Sequence, residues 1–193
     1  MLSEIFKAYD VRGIYGKDLT EDVAYKIGRA FVSFLKCKDA VVGYDMRVSS
    51  PKLSKAFMKG ATEEGANAID IGMVSTDALY FASGFLKSPG VMFTASHNPP
   101  SYNGIKFCKA NAVPINEDTG LQQIKSIMEM EQYENTKKSK IFCVPEISDF
   151  CETNDKKIKI GKINKNKKIG KIIEKTFSRI MSSMSFLLLT KRR

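Results

Sequence analysis

The chain has 193 residues, 43% of them hydrophobic, enough for one domain with a real core and a further extension. No run of 18 apolar residues occurs and MLSEIFKAYDVRG has no basic segment followed by an apolar one, so a membrane span and a secretory leader are not expected and a cytoplasmic location is. The net charge of +10 is unevenly spread: residues 1–133 hold 15 basic and 15 acidic side chains, residues 134–193 hold 16 and 6, so the basicity belongs to the tail.

The first 130 residues alternate strand-like and helix-like signals. Residues 19–36 place Val23, Ile27, Ala30, Phe31 and Phe34 at helical spacing behind a capping Thr20 and two acids. A short buried strand follows at 39–45. Residues 49–65 predict a helix capped by Ser50, with Pro51 at its first position and Gly65 as its stop. Residues 67–72 predict a strand, 75–87 a helix capped by Ser75 or Thr76, and 90–95 a strand. A strand over 103–109 is expected to be entered by an Asn-Gly turn, with Gly13 and Gly104 read as turn glycines. Residues 116–130 predict a last amphipathic helix. This alternation predicts an α/β fold, a three-layer α/β/α sandwich on a mostly parallel mixed sheet, occupying residues 1–133. From about 134 the text becomes rich in Lys, Ile and Asn, and 134–193 reads as a basic low-complexity extension. A basic tail can bind phosphates, but this one has few aromatics for stacking on bases, which speaks against nucleic acid. The cysteines, Cys37, Cys108, Cys143 and Cys151, form no C-x-x-C pair and read as reduced thiols.

Three polar stretches lie at predicted strand ends or beside extended segments: YDVRG (9–13), YDMR (44–47) and TASHNPP (94–100). Active residues collect at the carboxyl ends of strands in such sheets, so the three are expected to form one site. Ser96 directly follows a buried strand, where a hydroxyl can be a nucleophile or carry a phosphoryl group. His97, the single histidine, follows it, but sequence neighbours point different ways, so it need not be the base for Ser96. No G-x-S-x-G elbow supports a hydrolase. A plain capped turn over Ser96–Pro99 remains open. Asp45 and Arg47 read either as a local salt bridge or as part of the site.

Residues 94–106, TASHNPPSYNGIK, resemble the catalytic serine loop of the α-D-phosphohexomutases, the phosphoglucomutase/phosphomannomutase family. KAYDVRG resembles the family's first active-site loop, and VVGYDMRVSSP its G-x-D-x-R segment; Tyr44 stands where many relatives have arginine. The resemblance covers residues 4–132 and implies the first of four domains. It implies phosphoryl transfer between the 1- and 6-positions of a hexose monophosphate through phosphoserine at Ser96 and a bisphosphate intermediate, with hexose 1,6-bisphosphate as activator. Lys106 would be the general acid/base, Arg12 would clamp phosphoryl oxygens, and His97 and Asn98 would orient the loop or touch substrate. Tyr9 and Asp10 would shape the first loop. The resemblance also implies Mg²⁺ held by the Ser96 phosphate, although the family's acidic metal loop is absent from this chain. The chain is therefore expected to be a truncated fragment, ended by a frameshift near Lys175, inactive alone and exposing a face where a second domain would pack. The alternatives are a non-catalytic remnant binding sugar phosphates, and a basic protein acting through its tail. The phosphomannomutase/phosphoglucomutase branch is the one GYDMR and YNGIKF resemble most.

Overall fold

The computed structural model describes residues 2–133 and 139–143. Cys151, residues 169–175 and the rest of the basic extension lie outside the described residues, apart from residues 139–143, of which 141–143 join the sheet as its last strand.

Seven strands form one sheet among them: β1 (Val11–Ile14), β2 (Asp39–Tyr44), β3 (Asn67–Met73), β4 (Gly90–Phe93), β5 (Tyr102–Lys109), β6 (Val113–Ile115) and β7 (Ile141–Cys143). Their order is β1-β5-β4-β2-β3-β7, with β6 also on β5. β2 runs parallel to β3 and β4, and β3 to β7. β5 is antiparallel to β1, β4 and β6. One strand, β5, therefore opposes six that share a direction, and the mixed sheet has three parallel and three antiparallel pairings.

The helices α1 (Glu21–Leu35), α2 (Ser50–Glu63) and α4 (Gln122–Met130) share one core with one face of the sheet, and α3 (Thr76–Leu86) lies on the other. The larger core holds Phe31, Phe57, Phe93 and Phe107, whose rings meet at 5.6–5.7 Å between centroids. The smaller one joins Val41, Ile71 and Met92 of the sheet to Leu79 and Ala82 of α3. Helices α1 and α2 cross closely because each offers a glycine. A Cβ at Gly28 would lie 2.3 Å from the Phe57 carbonyl oxygen, and one at Gly60 2.1 Å from that of Tyr25. No helix among the described residues is long and apolar enough to cross a membrane.

The caps of α1 and α3 fall where expected: Thr20 accepts from the Val23 amide at 3.3 Å and Ser75 from the Ala78 amide at 3.2 Å. Helix α2 differs. Ser50 is its first residue, Pro51 its second, and Ser49 precedes it without a side-chain cap. The Ser50 hydroxyl is engaged elsewhere, donating to Asp45 at 2.6 Å. The last expected helix is preceded by a π turn (Glu117–Leu121) behind a capping box of Asn116 and Thr119, because Gly120 takes φ +153° and breaks the path. The expected Asn-Gly turn is absent. Asn103 and Gly104 lie within β5, paired with Gly13 and Arg12 of β1, so neither Gly13 nor Gly104 is a turn glycine.

Candidate functional site

All four residues of β4 are buried, as are Thr94 and Ala95, and the chain emerges at Ser96. Ser96 takes φ +52°, a left-handed conformation that a residue with a Cβ adopts only when its surroundings hold it there. Its amide donates to the Thr94 hydroxyl at 3.0 Å. The same turn brings the Ser96 Oγ to 3.0 Å from the His97 Nδ1. The reading that sequence neighbours point apart is thus corrected, since left-handed backbone at Ser96 swings the two side chains together. Both are exposed.

The YDVRG stretch arrives from the sheet edge. β1 pairs with the start of β5, so Arg12 sits beside Gly104, and Lys106 lies two residues further on the same face of β5. Gly104 leaves room for the arginine to cross: a Cβ there would lie 3.1 Å from the Arg12 Nε. The Arg12 Nη1 donates to the Ala95 carbonyl at 2.8 Å, and its Nη2 to the Asp10 carboxylate. Its Nε is buried with no hydrogen-bond partner. The Lys106 Nζ lies 3.4 Å from the same Asp10 oxygen. One buried carboxylate therefore joins both expected cations, leaving a unit of net charge +1 whose arginine touches the serine loop at the Ala95 carbonyl. Tyr9 stands at the rim, 74% exposed.

The YDMR stretch closes the other side. Asp45 and Arg47 form the expected local ion pair, with Nε 3.4 Å from Oδ2. Arg47 does more than that. Its two terminal nitrogens donate to the carbonyls of Ser96, Asn98, Pro99 and Tyr102 at 2.7–3.0 Å. Asn98 enters this arrangement through its backbone, donating also to the Ala95 carbonyl at 3.0 Å. Buried Asn103 donates to Ser49 at 2.7 Å and Ser50 at 2.9 Å, and its Oδ1 accepts from the Gly104 amide at 2.8 Å. The three stretches thus meet, with Arg12 and Arg47 both donating to the serine loop. Sequence reasoning did not find the clamping role of Arg47 or the part of Asn103. The signal for the first was its place two residues past a loop carboxylate at a strand end.

This arrangement offers an exposed hydroxyl, an adjacent imidazole and two cations joined by one carboxylate. Phosphoryl transfer is served mainly by positioning and positive charge. Among the described residues, no group of three or more His, Cys, Asp or Glu side chains could hold a metal ion, so they do not by themselves fit the expected Mg²⁺.

The family model described as "Phosphoglucomutase/phosphomannomutase, alpha/beta/alpha domain I" matches residues 3–135. A phosphomannomutase of Klebsiella pneumoniae is 46% identical over 129 residues, spanning 66% of this chain and 82% of its own. A phosphomannomutase of Escherichia coli (strain K12) is 45% identical over 129 residues, again 66% of this chain but 28% of its own. Among solved structures, a phosphoglucomutase/phosphomannomutase family protein from Burkholderia thailandensis superposes with TM-score 0.67 at 34% identity. It covers 76% of this chain and 34% of its own. One described as a putative phosphomannomutase from Thermus thermophilus gives TM-score 0.63 at 27% identity, covering 72% and 33%.

Proposed function

Because the chain belongs to the phosphoglucomutase/phosphomannomutase family through its alpha/beta/alpha domain I, we propose that Ser96 is its phosphoryl carrier in the interconversion of hexose 1- and 6-phosphates. The observation that carries this reading is the exposed, left-handed Ser96 next to Ala95, whose carbonyl is bound by Arg12 of the Arg12–Asp10–Lys106 unit. A phosphoserine brings a charge of about −1.5 to −2, and that unit supplies +1. In the transfer step the bond from phosphorus to the Ser96 Oγ breaks and one to a hydroxyl oxygen of the hexose monophosphate forms. Lys106, after giving a proton to solvent, takes the hydroxyl proton and returns to its ammonium form, Arg12 binds the phosphoryl oxygens, and the departing Oγ recovers a proton from solvent. His97, 3.0 Å away, is placed to share that proton. The reverse step, at the other end of the resulting bisphosphate, restores the phosphoserine. Asn98 and Tyr9 line the approach of the sugar.

The Ser96 phosphate could give Mg²⁺ only part of the oxygen shell it needs, so the remaining ligands, like the sugar-selecting groups, are assigned to residues outside those described. No step above is routed through the metal.

The test is phosphate uptake by the full chain from hexose 1,6-bisphosphate with Mg²⁺, read by intact mass and peptide mapping. One phosphoryl group on Ser96, and none on Ser96→Ala, is expected. A second readout joins residues 1–133 to the remainder of the Escherichia coli phosphomannomutase. That chimera should interconvert hexose phosphates and should lose the activity with Ser96→Ala; retained activity would overturn the assignment.

A further inference from the structure

We propose that Arg47 is the positioning residue for Ser96: its guanidinium gathers the carbonyls of the serine loop and thereby holds Ser96 in the left-handed conformation that presents its hydroxyl. The functional part of this inference rests on the carrier role proposed for Ser96; the structural part stands on geometry alone.

Four carbonyl oxygens between residues 96 and 102 converge on one side chain. Nη2 bonds those of Ser96 and Asn98, at 2.8 and 2.7 Å, and Nη1 those of Pro99 and Tyr102, at 2.9 and 3.0 Å. A loop that turns its carbonyls inward in this way needs a central donor group, and the flat guanidinium fork can reach several acceptors at once. A lysine ammonium is a compact charge at the end of a flexible stem and cannot reproduce that fork.

Arg47 is itself fixed. Its Nε faces Asp45 at 3.4 Å. Asp45 accepts from the Arg47 amide at 3.0 Å and from the Ser50 hydroxyl at 2.6 Å. Ser50 in turn accepts from Asn103 of β5 at 2.9 Å. A chain of hydrogen bonds thus runs from the sheet through the start of α2 to the loop. The loop's own turns, Asn98 amide to Ala95 carbonyl and Tyr102 amide to Pro99 carbonyl, are both 3.0 Å and lie inside the clamp. Without the guanidinium, four carbonyls must turn to water, and Ser96 loses the contact on its own carbonyl that accompanies φ +52°.

The experiment compares the full chain with its Arg47→Lys variant by amide hydrogen exchange and by phosphate uptake from hexose 1,6-bisphosphate. Exchange at Ser96, Asn98 and Tyr102 should accelerate by roughly tenfold or more, with the amides of Ala24 in α1 and of Lys36, which caps it, unchanged. Uptake by Ser96 should slow by about tenfold or more, since small misplacements of a reacting group cost that much. Unchanged exchange in the loop overturns the clamp. Faster exchange with unchanged uptake overturns the positioning role. If the wild-type chain takes up no phosphate, the comparison moves to the chimera with the Escherichia coli phosphomannomutase, where unchanged activity of Arg47→Lys overturns the positioning role and unchanged activity of Ser96→Ala overturns the carrier proposal. If Arg47→Lys also loosens α1, Asp45→Asn replaces it. That variant keeps the guanidinium and removes its ion pair, so the loop amides should still exchange faster, and no change there overturns the inference.

Discussion

Gly104→Ala is the sharpest test of how the sheet positions Arg12. A Cβ at Gly104 would lie 2.6 Å from the Val11 carbonyl oxygen, 2.8 Å from that of Thr94 and 3.1 Å from the Arg12 Nε. Ordinary contact begins at 3.4 Å, so the two carbonyls would have to retreat by 0.8 and 0.6 Å. Both are backbone atoms beside β5, one in β1 and one just past β4, and the Thr94 amide is itself bonded to the Gly104 carbonyl at 3.0 Å. Backbone in a paired sheet cannot give way as a flexible side-chain end can. Overpacking of this kind costs about 1–3 kcal/mol, and rigid backbone on two sides puts this site near the upper end, at roughly 2–3 kcal/mol. At roughly 3–5 °C per kcal/mol for a domain of this size, Gly104→Ala should melt roughly 6–15 °C below the parent. Gly84→Ala is the internal control. It lies in α3, a Cβ there would meet nothing within 4 Å, and alanine should stabilise the helix by about 0.5–1 kcal/mol. Thermal unfolding followed by far-ultraviolet circular dichroism reads both. A Gly104→Ala protein that melts at or above the parent temperature would refute the reasoning. Because the new methyl group also presses on Arg12, phosphate uptake by Ser96 should fall in a variant that still folds at the assay temperature.

Two further outcomes follow from half-buried titratable groups. Burial pushes the Asp70 carboxyl up, against the opposing pull of the Gly72 amide and the charge on Lys55. Its folded form therefore binds a proton more readily than the unfolded chain, and the ionised state disfavours folding at neutral pH. Asp70→Asn, which can still accept from the Gly72 amide, should be more stable than the parent at pH 7, with the gain fading as pH falls through the raised folded value and gone below the unfolded value of about 3.9. An equal difference at both ends of that range would rule the explanation out. Burial also pushes the half-buried Cys37 thiol up to about 12; the Cys143 thiol is raised by burial too, but its residue is exposed. At pH 8, iodoacetamide should modify Cys143 in the native chain faster than Cys37, and denaturant should remove the difference. Peptide mapping that finds Cys37 alkylated as fast as Cys143 without denaturant would contradict the burial.

The elements legible in the sequence were those whose cause is local. Helices α1 and α3 carry apolar periodicity and a capping hydroxyl within one stretch of chain, and both begin behind the cap that the sequence names. The strands β1, β6 and β7 were not legible. Each is only three or four residues long, β6 contains Pro114, and each exists through pairing with another segment of chain. The Asn103-Gly104 pair shows the same limit from the other side. Locally it signals a turn, yet here the glycine admits two flanking carbonyls and the asparagine ties β5 to the start of α2.

The candidate site divides along the same line. Its loops announce themselves because polar, glycine- and proline-bearing text sits directly after buried strands, and Ser96, Arg12 and Lys106 all fall within or beside them. What holds the loops together is carried by main chain. Arg47 binds four carbonyls and Arg12 a fifth, and a carbonyl has no letter in the sequence. The pairing of Ser96 with His97 follows from a backbone angle that no residue type at that position dictates. Residue identity therefore points to the groups suited to the chemistry, while their relative placement depends on donors aimed at backbone. Substitutions at Arg47 and Gly104, which lie outside the reacting set, should accordingly disturb the serine nearly as much as substitutions beside it. A variant set confined to the motif's hydroxyl, imidazole and lysine would miss that dependence.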